Sequence, residues 1–232
     1  MINYRGVSLE SIAPVKIEDI RISPVQLNAT NRPRPISPGS DFVRIHSGTR
    51  TVSIMFALLT MDMNTRQRQL MDINKWALSY EEAPLTLPNY QNMHLNCICT
   101  ATPEPSTRQW WESKLRLVFT AYDDPFWVSN WEKSVSCGTE FFVGGDAPPL
   151  MQIRHTFSSS ASNVSYSDGS RTMTFSTIPA GNMVIDLNRQ TAAVGSTNIM
   201  QYYSFSSRFP KPETGTHTIT GTGTIYYRER WV

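Results

Sequence analysis

The sequence predicts a mainly β protein in two halves: a sheet that carries one packed α-helix, then an antiparallel β-sandwich. Three observations support this prediction. Only 17% of the 232 residues are charged, which is low for a helical protein. One segment, residues 64–80, has convincing helical periodicity. From Ser134 onward, turn signals separate short alternating runs at close intervals, as is typical of a sandwich.

Length and charge narrow the function classes. A chain of 232 residues is long enough for one large or two small domains, and we place the boundary between residues 132 and 133. The net charge of +2 is too small to make nucleic acid or an anionic membrane the main partner. The first ten residues lack the basic-then-apolar layout of a signal peptide, and no apolar run approaches a membrane span.

The first half reads as strands around one helix. Val15–Ile22 alternates, Arg50–Met61 is a strong strand, and Ala83–Tyr90 and Leu95–Thr100 are shorter ones. Asn64 is the predicted cap of the helix, with Gln67 completing a capping box. Its apolar face, which should lie on the sheet, comprises Leu70, Ile73, Ala77 and Tyr80, with Trp76 at the border.

Residues 28–41 contain three prolines, two arginines and a glycine. Because proline lacks a backbone donor, we expect this segment to stay out of the sheet as a long exposed loop. Long loops in compact domains are often functional. One interpretation is a subunit-contact arm that includes Arg32, Arg34 and Ile36, and the other is a solvated loop without a partner.

The segment Arg116–Trp131 is the predicted joint between the halves. Its first part alternates as a buried strand, and Asp123-Asp124-Pro125 then ends the strand pairing. Three aromatic side chains follow that are too large to leave in water. We therefore expect an interdomain joint comprising Tyr122, Asp124, Pro125, Phe126, Trp127 and Trp131, with Phe126, Trp127 and Trp131 buried in the seam.

The second half ends in a run that keeps strict alternation from Thr216 to Val232. This pattern predicts one half-buried strand. Its buried face should comprise Ile219, Ile225, Tyr227 and Trp231.

Sequence motifs for catalysis or metal binding are lacking. The four histidines are scattered, the three cysteines (Cys97, Cys99 and Cys137) form no CxxC pair, and no nucleophile elbow or phosphate loop occurs. We expect free thiols and neither cofactor nor metal. Asp123 and Asp124 could join a distant Glu in glycoside cleavage, but Asp before Pro is ordinary turn chemistry, and Asp168-Gly169 likewise predicts a hairpin turn before a calcium ligand.

Aromatic residues of the second half leave a sugar-binding interpretation open. Exposed rings on a β-sandwich are suitable platforms for stacking saccharides, and the candidates are Tyr202, Tyr203, Phe205 and Tyr226. The core of a sandwich needs such residues as well, so core packing is the simpler assignment.

Short segments in a definite order resemble one family, the siphovirus distal tail proteins of long-tailed phages and prophages. The amino half contributes Tyr4-Arg5-Gly6-Val7, Arg50–Phe56, Lys75–Leu78 and Tyr122–Trp127. The carboxyl half contributes Gly144–Pro149 and Ile225–Trp231.

This resemblance implies a structural role in the virion. The first domain would form a hexameric ring at the tail tip, between the tail tube protein and the tail hub (tail-associated lysin) protein, with a channel through which DNA passes. The second would be a galectin-like sandwich to which receptor-binding proteins attach. The chain would be made in the cytoplasm of the bacterial host. The competing hypotheses are a carbohydrate-binding sandwich that aids host adhesion and, less well supported, a carbohydrate-active enzyme.

Overall fold

The computed structural model describes residues 1–25, 27–33, 40–103 and 114–232, with the backbone alone for 27–33 and 40–47. The chain divides into two compact units. The first comprises residues 1–127 together with Val232, and the second comprises residues 128–231.

The first unit has two helices and short strands throughout its described residues. In chain order these are β1 (Asn3–Tyr4), β2 (Val7–Ser8), α1 (Leu9–Ile12), β3 (Val15–Ile22), β4 (Leu27–Pro33), β5 (Ser40–Ser47), β6 (Arg50–Leu58), α2 (Met63–Ala77), β7 (Ala83–Thr86), a 3₁₀ turn (Pro88–Tyr90), β8 (Met93–Ala101) and β9 (Leu115–Ala121). Seven of the strands pair antiparallel in the order β3-β6-β9-β8-β7-β1-β2.

An aromatic cluster fastens α2 to this sheet. Trp76 of the helix meets Tyr4 and Phe119 edge to face, at centroid distances of 5.8 Å and 6.2 Å. Its indole Nε1 donates to the Val7 carbonyl at 2.9 Å, and the Tyr4 hydroxyl donates to the Cys97 carbonyl at 3.1 Å. Because the polar atoms of these rings are satisfied, the cluster can be buried without a desolvation penalty. The predicted sheet with one packed helix is confirmed.

The ends of α2 differ from the prediction. The N-cap is Asp62, whose carboxylate accepts a hydrogen bond from the Thr65 backbone at 2.7 Å, so the cap lies two residues before Asn64. The helix ends at Ala77, and Tyr80 beyond it is 91% exposed. Trp76, predicted at the border, is buried. Helical periodicity located the buried stripe correctly but could not show where the helix stops.

The predicted strand over 83–90 is also shorter. The strand β7 stops at Thr86 and the chain continues into the 3₁₀ turn at Pro88–Tyr90. Proline is well suited to begin such a turn, because its fixed φ matches the turn and its nitrogen needs no partner there.

The second unit is built of β-strands. In chain order these are β10 (Trp127–Ser129), which begins at the boundary, β11 (Lys133–Ser136), β12 (Glu140–Val143), β13 (Ala147–Phe157), β14 (Ala161–Ser167), β15 (Thr172–Ile178), β16 (Gly181–Asp186), β17 (Thr191–Val194), β18 (Thr197–Asn198), a 3₁₀ turn (Met200–Tyr202), β19 (Gly215–Thr218) and β20 (Thr224–Trp231). One sheet runs β18-β17-β16-β13-β20-β11, while β12 pairs with β19 and β14 with β15.

The two sets of strands enclose one hydrophobic core. Buried side chains from the large sheet, such as Ile153 and Ile225, share this core with Phe141 of β12 and Phe175 of β15. The antiparallel, mainly β character predicted for this half is therefore confirmed.

The last predicted strand proves to be two strands. Thr216–Val232 is divided into β19 and β20 by a turn that contains Gly221 and Gly223. Gly221 has φ +145°, and a Cβ there would lie 2.3 Å from the Tyr166 ring, so only glycine fits. Ile219, Ile225 and Tyr227 are buried as predicted, and Trp231 is half-buried.

Candidate functional site

The predicted loop at 28–41 is in large part a β-hairpin. The strands β4 and β5 pair from Leu27 with Ser47 to Pro33 with Ser40. Pro33 is tolerated because it lies at the end of β4 in a two-stranded ribbon. At this position the missing backbone N–H of proline interrupts no series of hydrogen bonds between strands. Arg32 lies in β4 opposite Asp41, whereas Arg34 and Ile36 lie outside the described residues. The expectation of an irregular loop was thus wrong for 28–33 and 40–41.

A two-stranded hairpin is at best marginally stable in water by itself. Both edges of such a ribbon also offer unpaired backbone groups to another chain. The hairpin formed by β4 and β5 is therefore a candidate contact surface.

A second candidate surface lies on and beside α2, and sequence reasoning missed it. We call it the methionine patch; its residues are each more than half exposed and comprise Leu59, Met61, Met63, Met71 and Leu78. Met63 and Met71 lie eight residues apart on the same side of α2, and Leu78 follows directly after the helix. That side flanks the buried stripe. Several exposed apolar side chains near one helix make a candidate interaction site, and the helical spacing of Met63 and Met71 was the available signal.

The residues of the predicted interdomain joint have different surroundings. Trp127 is 2% exposed and stacks on Tyr90, with ring centroids 4.5 Å apart and an interplanar angle of 4°. Pro125 is buried and Phe126 half-buried, but Tyr122 is 54% exposed and Trp131 70% exposed. The burial expected for Trp131 was therefore wrong: this residue lies in the turn between β10 and β11, where its side chain faces solvent. The role of the segment as a joint stays a prediction.

The Asp123-Asp124 pair lies in the turn that follows β9. Glu82 Oε1 accepts hydrogen bonds from the backbone of Tyr122 at 2.6 Å and of Asp123 at 3.2 Å. Asp124 Oδ1 accepts from the Phe126 backbone at 3.4 Å. The Glu82 and Asp124 carboxylates thus order the backbone where β9 ends. This is the turn role that an Asp before a Pro favours.

The cysteines are free thiols. Burial raises the pKa of Cys97 far above its ordinary value, so this thiol is inert at neutral pH. Among the residues that the structure describes, no cluster of metal-ligating side chains occurs. Within the same residues, no helix is long and apolar enough to cross a membrane.

A polar groove of about 290 Å³ lies on the second unit. At its centre, Arg154 holds both Glu132 oxygens, at 3.0 Å and 2.9 Å, and stands 4.2 Å above the Tyr226 ring. Arg154 also donates to Gln152 Oε1 at 3.0 Å. Side chains from β13 and β20 therefore converge on one rigid, charged surface.

The four candidate sugar platforms do not form a single surface. Tyr226 lines the groove. Tyr203 packs on Phe209 with centroids 5.1 Å apart, Tyr202 lies against the core, and Phe205 is fully exposed. The simpler assignment to core packing fits Tyr202 and Tyr203.

Comparisons with known proteins identify the chain's relatives. Residues 144–231 match the family model described as siphovirus-type tail component, C-terminal domain. No curated protein sequence matches.

Among solved structures, the crystal structure of the Dit protein of phage SPP1 is similar with a TM-score of 0.76 and 17% identity, covering 100% of this chain and 98% of that one. A chain of the phage P2 baseplate reaches a TM-score of only 0.44 at 9% identity, covering 92% of this chain and 90% of that one.

The match to SPP1 Dit shows a common fold over the whole chain, and the family model shows a shared domain over residues 144–231. The matched family model is that of a tail component, which agrees with the prediction that the chain is not an enzyme. The resemblance to the siphovirus distal tail proteins that the sequence predicts is confirmed as a similarity: it comprises the tail-component model over residues 144–231 and the fold of SPP1 Dit over the whole chain.

Proposed function

We propose that the chain forms a closed ring at the tip of a phage tail, where it links the tail tube to the tail hub and to receptor-binding proteins. The observation that carries this proposal is the fold shared with SPP1 Dit over the full length of both chains. That protein is described as a paradigm of the hub adsorption apparatus in phages that infect Gram-positive bacteria. A ring with six copies, formed by the first unit, is the arrangement we infer.

The surfaces of the first unit support a self-assembling role. In a closed ring each interface is heterologous, so every subunit must present two different patches. The β4–β5 hairpin and the methionine patch are two such patches: one offers backbone edges and the other offers apolar side chains. The small net charge of +2 suits a channel through which DNA slides, because each neutralised phosphate would add affinity.

Light scattering and negative-stain microscopy test this proposal on the full chain. We expect sixfold rings, either from the isolated chain or upon addition of its tube or hub protein. A monomer that ignores both partners would contradict the proposal.

Charge reversal tests the hairpin as a subunit contact. The Arg32→Glu/Arg34→Glu variant should weaken ring assembly while leaving the melting temperature of the monomer unchanged, because the arginines would serve the neighbouring subunit. Unaltered assembly would show that these two arginines have no partner in the ring.

The polar groove of the second unit favours one alternative function, carbohydrate binding that contributes to adhesion to the host. Convergent planar side chains beside Tyr226 are the kind of groups that recognise sugar hydroxyls. A glycan array should then show binding that Tyr226→Ala abolishes and that Phe205→Ala, an exposed aromatic outside the groove, leaves intact. Equal loss in both variants, or no binding at all, would remove this alternative.

A further inference from the structure

Two arginines that lack a carboxylate partner line the polar groove of the second unit. Neither Arg189 nor Arg228 takes part in an ion pair among the residues that the structure describes. Arg228 donates to the carbonyl oxygens of Ser129 and Asn130, at 3.1 Å and 3.0 Å, and these acceptors are uncharged. Within the described part of the chain, no carboxylate therefore neutralises the two guanidinium charges.

The backbone brings these two arginines to the same end of the groove. On one side of β13, Arg228 of β20 pairs with Leu150, and paired residues share a face of the sheet. On the other side, Asn188 is hydrogen-bonded to the β13 backbone both before and after Leu150. Arg189 comes next in the chain and also lines the groove. The arginines thus flank the first part of β13.

A row of hydrogen-bonded side chains continues the groove from this end. Glu132 neutralises Arg154, and Gln152 accepts from Arg154 at 3.0 Å and donates to Asp186 Oδ2 at 3.4 Å. Because each carboxylate oxygen has more than one lone pair, Glu132 and Asp186 can still accept hydrogen bonds from the hydroxyl groups of a ligand.

The charges that line the groove do not cancel. After Glu132 has neutralised Arg154, two positive charges, on Arg189 and Arg228, stand against one negative charge, on Asp186. The positive charges are at one end and the hydroxyl-accepting row extends from them. The groove therefore suits a ligand that has an anionic group beside several hydroxyl groups.

Tyr226 supports this groove and does not act as a stacking platform. The Arg154 guanidinium lies 4.2 Å above its ring, so that face of the ring is already covered. Single-stranded nucleic acids bind mainly through bases stacked on open aromatic faces. In addition, the carboxylates of Glu132 and Asp186 would repel a chain of phosphates. Both features favour a saccharide over a nucleic acid.

We propose that the groove binds a saccharide unit that carries an anionic group, with the anion at Arg189 and Arg228 and the sugar hydroxyls along the row from Glu132 to Asp186. The proposal rests on the carbohydrate-binding alternative above and does not require the ring. A planar guanidinium matches a phosphate or carboxylate through two parallel hydrogen bonds. The groove volume of about 290 Å³ is near the lower limit of small-molecule sites, about 300 Å³, which suits one saccharide unit.

Three small probes separate the two parts of the site. Isothermal titration calorimetry of the full chain with glucose 6-phosphate, glucose and inorganic phosphate, at equal ionic strength, measures the affinity for each. Glucose 6-phosphate should bind about tenfold or more tightly than either of the others, because it alone reaches both the arginines and the hydroxyl-accepting row.

Two variants should change this affinity in opposite directions. Arg189→Gln should weaken binding of glucose 6-phosphate about tenfold, through the loss of a charge-assisted hydrogen bond, and leave glucose binding unchanged. Glu132→Gln removes the negative charge beside Arg154 and should tighten binding of inorganic phosphate about twofold or more, which a loss of structure cannot produce. Arg208→Gln is the matched control, because it removes an exposed arginine of the same unit outside the groove, and it should bind as the wild type does.

Four results overturn the proposed ligand. Equal affinities for glucose and glucose 6-phosphate would exclude an anion subsite and leave neutral carbohydrate binding in place. Weaker phosphate binding in Glu132→Gln would show that charge does not govern the groove. A single-stranded DNA oligonucleotide that binds more tightly than glucose 6-phosphate, and does so through Arg189, would assign the groove to nucleic acid. No binding of glucose 6-phosphate would also refute the proposal, and the glycan array would then decide the carbohydrate alternative separately.

Discussion

The two units expose their apolar side chains in different ways. Among the side chains that the structure describes in the first unit, most of the exposed large hydrophobic ones lie on or beside α2. In the second unit they are few and scattered, comprising Trp131, Phe142, Val184 and Phe205. The second unit instead presents a polar groove in which Arg154 pairs with Glu132. Exposed apolar side chains favour permanent association, whereas a polar, charged surface favours reversible contacts. This difference supports our proposal that the first unit forms the ring.

Two tryptophans on either side of the unit boundary should differ most in their contribution to the free energy of unfolding. Trp127 is buried and stacked on Tyr90, and Trp131 is mostly exposed. Replacing Trp127 with Ala should lower the free energy of unfolding by about 3–5 kcal/mol, because a large cavity remains. Trp131→Ala should change it by less than about 0.5 kcal/mol. Urea denaturation followed by circular dichroism measures both, and similar losses would contradict the difference in burial.

Removing the methionine patch tests which unit assembles. Met63→Gln/Met71→Gln keeps helix propensity but makes the patch polar, so assembly should weaken by about tenfold or more, equivalent to about 1.4 kcal/mol. The matched variant Phe142→Thr/Phe205→Thr, in the second unit, should assemble normally. Sedimentation velocity measures both, and the melting temperature of each monomer serves as a control for folding. Weaker assembly in the second pair alone would reverse the assignment.

The smallest expected difference in stability is between two aspartate-containing turns, one in each unit. Asp168 Oδ1 accepts from the backbones of Ser170 and Arg171 at 2.9 Å and 2.7 Å, whereas the Asp123 side chain makes no such contact among the described residues. Asp168→Ala should destabilise the chain by about 1–2 kcal/mol at pH 7, and Asp123→Ala should have almost no effect. Thermal unfolding at pH 7 measures the difference.

The effect of Asp168 should depend on pH. Burial alone would raise its pKa, but hydrogen bonds from Arg171, Ser170 and Lys211 outweigh burial and hold the pKa below its ordinary value. A carboxyl group with a depressed folded pKa stabilises the fold above the unfolded value, about 3.9 for Asp, and this stability is lost as the pH falls through the folded pKa. The stability difference between wild type and Asp168→Ala should therefore shrink below about pH 4. A constant difference down to pH 2 would show that charge plays no part.

Where sequence and structure agree, the local pattern of apolar and polar residues was sufficient to predict the structure. The helical spacing of Leu70, Ile73 and Ala77 identified a stripe that is buried, and the alternation of Ile225 and Tyr227 identified a buried strand face. The Asp-Gly pair at 168–169 does connect two paired strands, β14 and β15. Each of these features depends on residues that are close together in the sequence. The repeat of the helix or strand backbone determines which of their side chains share a face.

By itself, the sequence determined the mainly β class, the single long helix, and the faces of these elements that could be buried. Only the tertiary structure decided which of them are covered: that Trp127 is buried and Trp131 exposed, that 27–33 and 40–47 pair despite Pro33, and that Met63 and Met71 of α2 stay in solvent. It also placed Arg50 in the interior. Periodicity indicates which side chains share a face, but the pairing of distant segments determines whether anything packs against that face.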